Sequence, residues 1–252
     1  MTYKLHDKTI LVTGATSGIG EQLCVDLVKK GNRVLACGRN QDKLSALASR
    51  VGEGLTTYAF DTARKEDVFE TFNSIASAHQ VDCLILNAGN CEYVEIDEFD
   101  STLFERVIQT NFLGTVYCIE AGLPLLKKSS SPYLVLMGSS SVYFPFARAE
   151  AYGASKAALD YLAKSLRVDL EKFRISVSII HPGFVKTPLT DKNDFTMPMV
   201  IATDAASSYI IRGLEKQEFT IHFPKRFTRI LKFLGSLPER LQHKLSKKMV
   251  RT

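Results

Sequence analysis

The feature that most constrains the fold is an alternation repeated along all 252 residues: short apolar runs separated by longer stretches of helical periodicity. Seven runs stand out, at residues 9–13, 33–37, 56–60, 81–86, 133–137, 175–180 and 219–223. Most are near-continuously apolar, the pattern of strands covered on both faces of a parallel sheet. Between the first two, residues 18–30 put Ile19, Leu23, Leu27 and Val28 on one helical face, and Gly31 closes the helix. Strand–helix alternation of this kind predicts an α/β fold, a doubly wound parallel sheet of Rossmann type with about seven strands. In such a sheet a ligand sits at the carboxyl ends of the strands.

Composition removes several classes of function. The chain is 45% apolar and 23% charged, ordinary for one large globular core. No linker, low-complexity tract or repeat divides it, so residues 1–224 are expected to form the catalytic unit and 225–252 a basic extension of the same domain. The polar first eight residues lack the plan of a secretory signal. No apolar run approaches the roughly 18 residues that span a bilayer. Cys24, Cys37, Cys83, Cys91 and Cys118 are scattered without metal-ligand spacing, which predicts reduced thiols in the cytoplasm and neither disulfides nor a metal site. Residues 225–252 hold nine Lys or Arg against Glu239, a net +8, so the whole-chain +5 leaves −3 for the body. A mildly acidic body argues against a nucleic-acid partner.

The ends of the runs carry the chemistry. The first leads into Thr13-Gly14-Ala15-Thr16-Ser17-Gly18-Ile19-Gly20, which opens the first helix. Glycines at such a turn let backbone N–H groups approach a pyrophosphate at a helix N-terminus. The second run ends in Cys37-Gly38-Arg39-Asn40, with no acid before Asp42. An acid there would hold the ribose 2′-hydroxyl of NAD, whereas Arg39 suits the 2′-phosphate of NADP(H).

From residue 8 to about 223 the chain resembles the short-chain dehydrogenase/reductase family. Residues 13–20 match that family's TGxxxGIG coenzyme motif. Asp61-Thr62 resembles its adenine-contacting pair and Asn87-Ala88-Gly89 its NAG motif. Residues 181–187 resemble the PGxVxT segment at the nicotinamide end, which implies Pro182, Gly183, Val185 and Thr187 as contacts. The resemblance thus implies a cofactor site built from Gly14, Thr16, Ser17, Gly18, Ile19, Gly20, Arg39, Asp61, Thr62, Asn87, Ala88, Gly89, Tyr152, Lys156 and that segment.

Tyr152 and Lys156 lie four apart in a helical pattern, hence on one helix face. A phenol is a weak base at neutral pH, and a neighbouring cation favours phenolate by about 1.4 kcal/mol for each pKa unit lowered. Ser139, thirteen residues before Tyr152, follows the fifth run and can donate a hydrogen bond to a substrate oxygen. Ser140 and Ser141 stand beside it and are expected to build the turn. Asn111, within the amphipathic pattern 99–126, resembles the family's helix asparagine that holds a relay water. Asn111, Ser139, Tyr152 and Lys156 therefore form the candidate catalytic set. The resemblance implies hydride transfer between NADP(H) and a carbonyl or secondary alcohol, with Lys156 also binding the nicotinamide ribose.

A small-molecule substrate and a homo-dimer or homo-tetramer are expected. Tyr143, Phe144, Pro145 and Phe146, with Phe184, Leu189, Phe195, Met197 and Met199, either line an apolar pocket or serve as core and interface residues. The serine run 138–142 is not GxSxG, and the histidines lack a hydrolase context. The rival from another class is a non-catalytic NADP-binding regulator or membrane-peripheral scaffold. Against it stands the complete tetrad. In the tail, Phe227, Ile230, Leu231 and Leu234 share a face among Lys225, Arg226, Arg229 and Lys232. After Gly235-Ser236-Leu237-Pro238, the residues Leu241, Leu245 and Met249 recur among Arg240, Lys244, Lys247, Lys248 and Arg251. Such helices either touch the inner face of an anionic membrane weakly or pack on the domain, and the resemblance implies that a segment in this place covers the pocket or a subunit interface.

Overall fold

The computed structural model describes residues 2–247. Lys248, Met249 and Arg251 of the predicted tail lie outside them. Seven parallel strands form one sheet: β1 (Thr9–Thr13), β2 (Arg33–Gly38), β3 (Leu55–Ala59), β4 (Cys83–Leu86), β5 (Tyr133–Met137), β6 (Ser176–Pro182) and β7 (Thr220–Phe223). Their spatial order is β3-β2-β1-β4-β5-β6-β7. The order reverses direction between β1 and β4, and there the crevice of a doubly wound sheet opens. Register aligns the strand ends along one edge, pairing Thr13 with Cys37, Leu86 with Leu136 and Met137 with Ile180.

Each buried strand feeds both faces, because successive side chains point oppositely. Ile10 and Val12 of β1 join Leu23 and Leu27 of α1 (Gly18–Lys29) and Ile210 and Leu214 of α7 (Thr203–Glu215). Leu11 faces the other way, with Phe72 and Ile75 of α3 (Lys65–Ala78) and Leu159 and Ala163 of α6 (Glu150–Leu170). A further helix, α2 (Gln41–Val51), connects β2 to β3.

Two expectations shift. The run 56–60 is strand one residue earlier, at Leu55–Ala59, on the sheet edge; Phe60 leaves the ladder and donates its N–H to the Gly38 carbonyl at 3.0 Å. As an edge, β3 is only partly covered, unlike the continuously buried strand its neighbours predict. The pattern 99–126 is not one regular helix. α4 (Ser101–Ile108) passes through a π-helical turn, Gln109–Leu113, into α5 (Gly114–Leu126). Wide turns of this kind re-aim side chains and recur at functional sites, and this one holds Asn111.

The tail folds as α8 (Lys225–Gly235) and α9 (Glu239–Lys247), broken where the sequence indicates. Phe227 and Leu231 are buried with Phe144, while Tyr143, Phe146, Phe184, Leu234 and Leu245 pack around them. Gly235 meets the Tyr143 carbonyl so closely that a Cβ would overlap it.

Candidate active site

The crevice is built from backbone first. Gly14 and Gly18 have φ of +67° and +58°, which only glycine adopts without strain. Gly20 lies against the Gly14 carbonyl, where any Cβ would collide, so its role is close packing of α1 on β1. Asn87 holds this loop: its Nδ2 donates to the Thr13 and Gly14 carbonyls at 3.0 and 3.3 Å. The N–H groups of Asn87 and Ala88 donate to Thr13 Oγ1 at 3.0 and 3.1 Å. Asn87 is thus occupied with the loop itself, and Ile19 packs partly on the core, leaving its N–H as what it offers a ligand. Ser17 precedes α1 without a side-chain cap bond. Thr16 packs on Gly38, where a Cβ would stand 2.6 Å from its methyl.

At the end of β2 Arg39 is 70% exposed, with Nη1 3.7 Å from Asp61 Oδ2. Asp61 Oδ1 accepts the Ala63 N–H at 3.0 Å, and the Thr62 carbonyl backs onto Gly114. On the other side Thr187 covers Gly18, and Thr190 Oγ1 donates to the Val185 carbonyl at 2.7 Å. The Gly183 N–H donates to the Phe223 carbonyl at 2.7 Å, and Phe227 of α8 sits where its Cβ would be. The arrangement leaves a cradle of glycine backbone at a helix N-terminus with an exposed guanidinium at its rim. Those are the donors a phosphorylated dinucleotide requires.

Asn111, Ser139, Tyr152 and Lys156 converge beside this cradle. Ser139 Oγ accepts the Ser141 N–H at 3.1 Å and caps the short 3₁₀ turn Ser140–Val142. The neighbouring Ser139 hydroxyl pulls the Tyr152 phenol's pKa down, but burial is the larger effect and holds it well above the usual tyrosine range. Lys156 is buried, and burial lowers its pKa to about 8. Its Nζ donates to the Met137 carbonyl at 2.8 Å and lies 5.7 Å from the Tyr152 ring centre.

Lys156 is thereby anchored on the end of β5. Asn111 is fully buried, and its amide is spent on protein: Nδ2 donates to the Asn90 carbonyl and Ser155 Oγ, and Oδ1 accepts the Asn90 N–H at 2.7 Å. It clamps the loop after Gly89 to α6.

A cleft of 710 Å³ opens over Ser139 and Tyr152. Of the anticipated pocket residues Phe146, Phe184, Leu189, Phe195 and Met199 line it. Phe144 is instead core, and Tyr143 turns its hydroxyl to His181 Nδ1 at 2.6 Å. Phe227, Ile230, Leu231 and Leu234 of α8, whose shared face the sequence shows, form part of the cleft wall, the position that the family resemblance implies for such a segment. Sequence reasoning missed Cys91, Tyr93, Arg148 and Asn193. Arg148, with φ of +65°, pairs with Glu95 and at 3.0 Å with Asp194, and Tyr93 donates to Asn193 Oδ1 at 2.6 Å. These contacts tie the loop after β4 to the segment after Thr187; irregular backbone carries no periodicity to reveal them.

His181, set aside as structural, is the hub of a second cluster. Its Nε2 faces Asp160 Oδ1 at 3.2 Å, and this approach is the leading cause that holds Asp160 down at about 2. Four of the five cysteines are buried and all are free; among the described residues no group of His, Cys, Asp and Glu has the makings of a metal site. No described helix is long and apolar enough to cross a membrane.

Residues 8–197 match the family model described as short chain dehydrogenase. An uncharacterized oxidoreductase of Myxococcus xanthus is 33% identical over 221 residues, 86% of this chain and 87% of its own. An NADP-dependent 3-hydroxy acid dehydrogenase of Salmonella typhi is 33% identical over 178 residues, 70% of this chain and 72% of its own. A short chain dehydrogenase of Burkholderia cenocepacia, solved in complex with NADP, superposes with a TM-score of 0.84 at 23% identity, covering 99% of this chain and 100% of that one. At that identity the superposition speaks for the fold.

Proposed function

The chain belongs to the short-chain dehydrogenase family, and on that footing we propose that it is an NADP(H)-dependent oxidoreductase acting on an apolar carbonyl or secondary alcohol. The observation that carries the reading is Tyr152 lining the cleft together with Ser139, one helical turn from the buried Lys156. A non-catalytic binder has no need of a buried ammonium on that face, which costs desolvation.

When bound, the nicotinamide supplies or accepts the hydride. Ser139 donates its hydroxyl to the substrate oxygen and stabilises charge building there. Tyr152, kept neutral by burial, delivers its proton to that oxygen in reduction; in oxidation the phenolate form of the same side chain takes the proton back. Lys156 uses one ammonium proton on the Met137 carbonyl, leaving two for a ribose hydroxyl and a relay. Asn111 acts as a positioning residue that fixes the Asn90 loop. Arg39 holds the 2′-phosphate; the NADP dependence of the Salmonella relative supports this choice.

Phe146, Phe184, Phe195 and the face of α8 support an apolar substrate. In this reading residues 225–252 are an extension that completes the wall of the catalytic unit 1–224. Buried free thiols support a reducing cytoplasm, and the exposed Tyr161 and Val168 of α6 support a homo-dimer or tetramer. The test is a panel of aldehydes, ketones and alcohols followed by cofactor absorbance with NADPH and NADH. Turnover with NADPH on apolar carbonyls is expected; inactivity across the panel with NADPH bound refutes the reading.

A further inference from the structure

The carboxyl-terminal helices carry surface chemistry that the proposed reaction does not use. α8 docks through Phe227 and Leu231, which consumes one face. On the outer face Ile230 is 43% and Phe233 65% exposed, and Leu241 of α9 is 47% exposed. Arg226, Arg229, Arg240 and Lys244 are exposed on the same two helices, Lys232 lies over the Tyr143 ring, and Glu239 is the one acid in residues 225–247. Lys225 pairs with Glu218 at 3.8 Å, but Arg226 and Arg229 also stand near the start of α8, where the helix dipole disfavours positive charge and the first turn holds no acid. Neither helix stability nor packing accounts for that placement. Ile230 belongs both to the exposed stripe and to the cleft wall, so the mouth of the cleft opens beside the stripe.

We propose that the outer face of α8 and α9 docks on an anionic lipid surface and that the cleft takes its apolar substrate from that surface. Aromatic and aliphatic side chains set among Lys and Arg on a helix lying in the interface plane are what such a surface binds. A second copy of the chain is the poorer fit, because its body offers only −3 over 224 residues against a +8 tail. The delivery half rests on the apolar-substrate reading above; the docking half does not.

The full chain is mixed with vesicles of phosphatidylglycerol and phosphatidylcholine, or of phosphatidylcholine alone, and pelleted. It is expected to pellet with the anionic vesicles at low salt, to be released at high salt, and to stay in solution with the neutral ones. Arg226→Glu with Arg229→Glu should lower the bound fraction at least about tenfold, since each cation near an anionic bilayer counts on that scale. Phe233→Ser should lower it less. All these variants should melt like the unmodified chain and turn over a short soluble carbonyl at its rate.

An intact chain that ignores anionic vesicles at low salt overturns the docking, as do variants that pellet undiminished. If Phe233→Ser changes the oligomeric state of lipid-free protein and leaves vesicle binding alone, the stripe is a contact between copies and the docking falls. A long-chain ketone dissolved in anionic vesicles should be reduced faster than in neutral ones, and the paired charge variant should erase the difference; equal rates overturn delivery. Pelleting is read without turnover, so a chain that binds anionic vesicles and reduces nothing supports the docking while refuting the proposed reaction.

Discussion

Lys156 Nζ donates to the Met137 carbonyl at 2.8 Å, tying the cation of α6 to the end of β5 two residues before Ser139. The bond fixes the spacing between the helix that carries Tyr152 and the strand end that carries Ser139. It also has a titration consequence. Burial depresses the Lys156 pKa to about 8, so between about 8 and the ordinary lysine value the unfolded chain binds more protons than the folded one. In that window this group's contribution to stability rises with pH. The stability difference between the unmodified protein and Lys156→Met should therefore change between pH 7 and pH 9.5 in the unmodified protein's favour, by thermal melts without cofactor. A difference independent of pH contradicts it.

Tyr152→Phe removes the proton that the mechanism moves and keeps the ring. Turnover should fall at least about a hundredfold, the scale of acid–base catalysis. NADPH affinity, read by fluorescence titration, should stay within about twofold, because no phosphate contact is lost. A folded variant with near-normal kcat removes Tyr152 from the chemistry.

Arg39 and Asp61 lie 3.7 Å apart with the guanidinium largely in water, a pair worth about 0–1 kcal/mol at most. Arg39 is thus readily drawn to a phosphate, where a charge-assisted bond contributes about 1.5–3 kcal/mol. NADPH should bind roughly ten- to a hundredfold more tightly than NADH, and Arg39→Ala should remove most of that gap. Equal affinities in the unmodified protein refute the assignment.

How much of this was legible in the sequence depends on the range of the interaction. Strands and α1 follow from local pattern, and the spacing of Tyr152 and Lys156 puts them on one helix face; Ser139 joined them through the family resemblance, and the sheet order brings these residues to one edge. The edge position of β3 was not legible, because Thr56 and Thr57 alternate weakly whether a neighbour covers them or not. Nor was the π turn at Asn111, since one added residue in a helix leaves an amphipathic pattern that still reads as helical. Asn111 was found by resemblance, but its bonds to Asn90 and Ser155 depend on where α4 meets α6. The α8 wall was legible in pattern only as an apolar face; that it lines the cleft was one alternative among those the resemblance left open. The partner of a helix face is set by tertiary packing.

The cleft wall makes a specific demand on substrate. Phe184 stands 5.7 Å from Phe195 and 5.5 Å from Phe227, ring centre to ring centre, so three segments share one aromatic surface. Medium-to-long apolar carbonyls should give higher kcat/KM than small charged ones, each buried methylene adding up to about 0.8 kcal/mol. Phe195→Ala should flatten that dependence with little effect on the shortest substrates. A preference for a small charged carbonyl contradicts this account of the cleft.

The docking of α8 should be the part of the fold most sensitive to mild acid. His222 Nδ1 shares a 2.6 Å hydrogen bond with Thr228 Oγ1, which joins β7 to the second turn of α8. Burial first, then the charges of Lys232, Lys225, His181 and Arg229, lower the His222 pKa to about 4. A base with a depressed folded pKa stabilises the fold fully above its unfolded value, near 6.5, and this contribution is lost as pH falls toward 4. Asp160, held at about 2 by His181, loses its contribution only below the ordinary aspartate value, so His222 acts first. Melting temperature should fall between pH 6.5 and pH 4, and His222→Gln should flatten that part of the curve while costing about 1–2 kcal/mol at pH 7. Because Ile230, Leu231 and Leu234 line the cleft, KM for an apolar substrate should rise over the same interval, before kcat changes. An unmodified protein whose melting temperature is flat from pH 6.5 to pH 4 would remove His222 as the acid-sensitive joint.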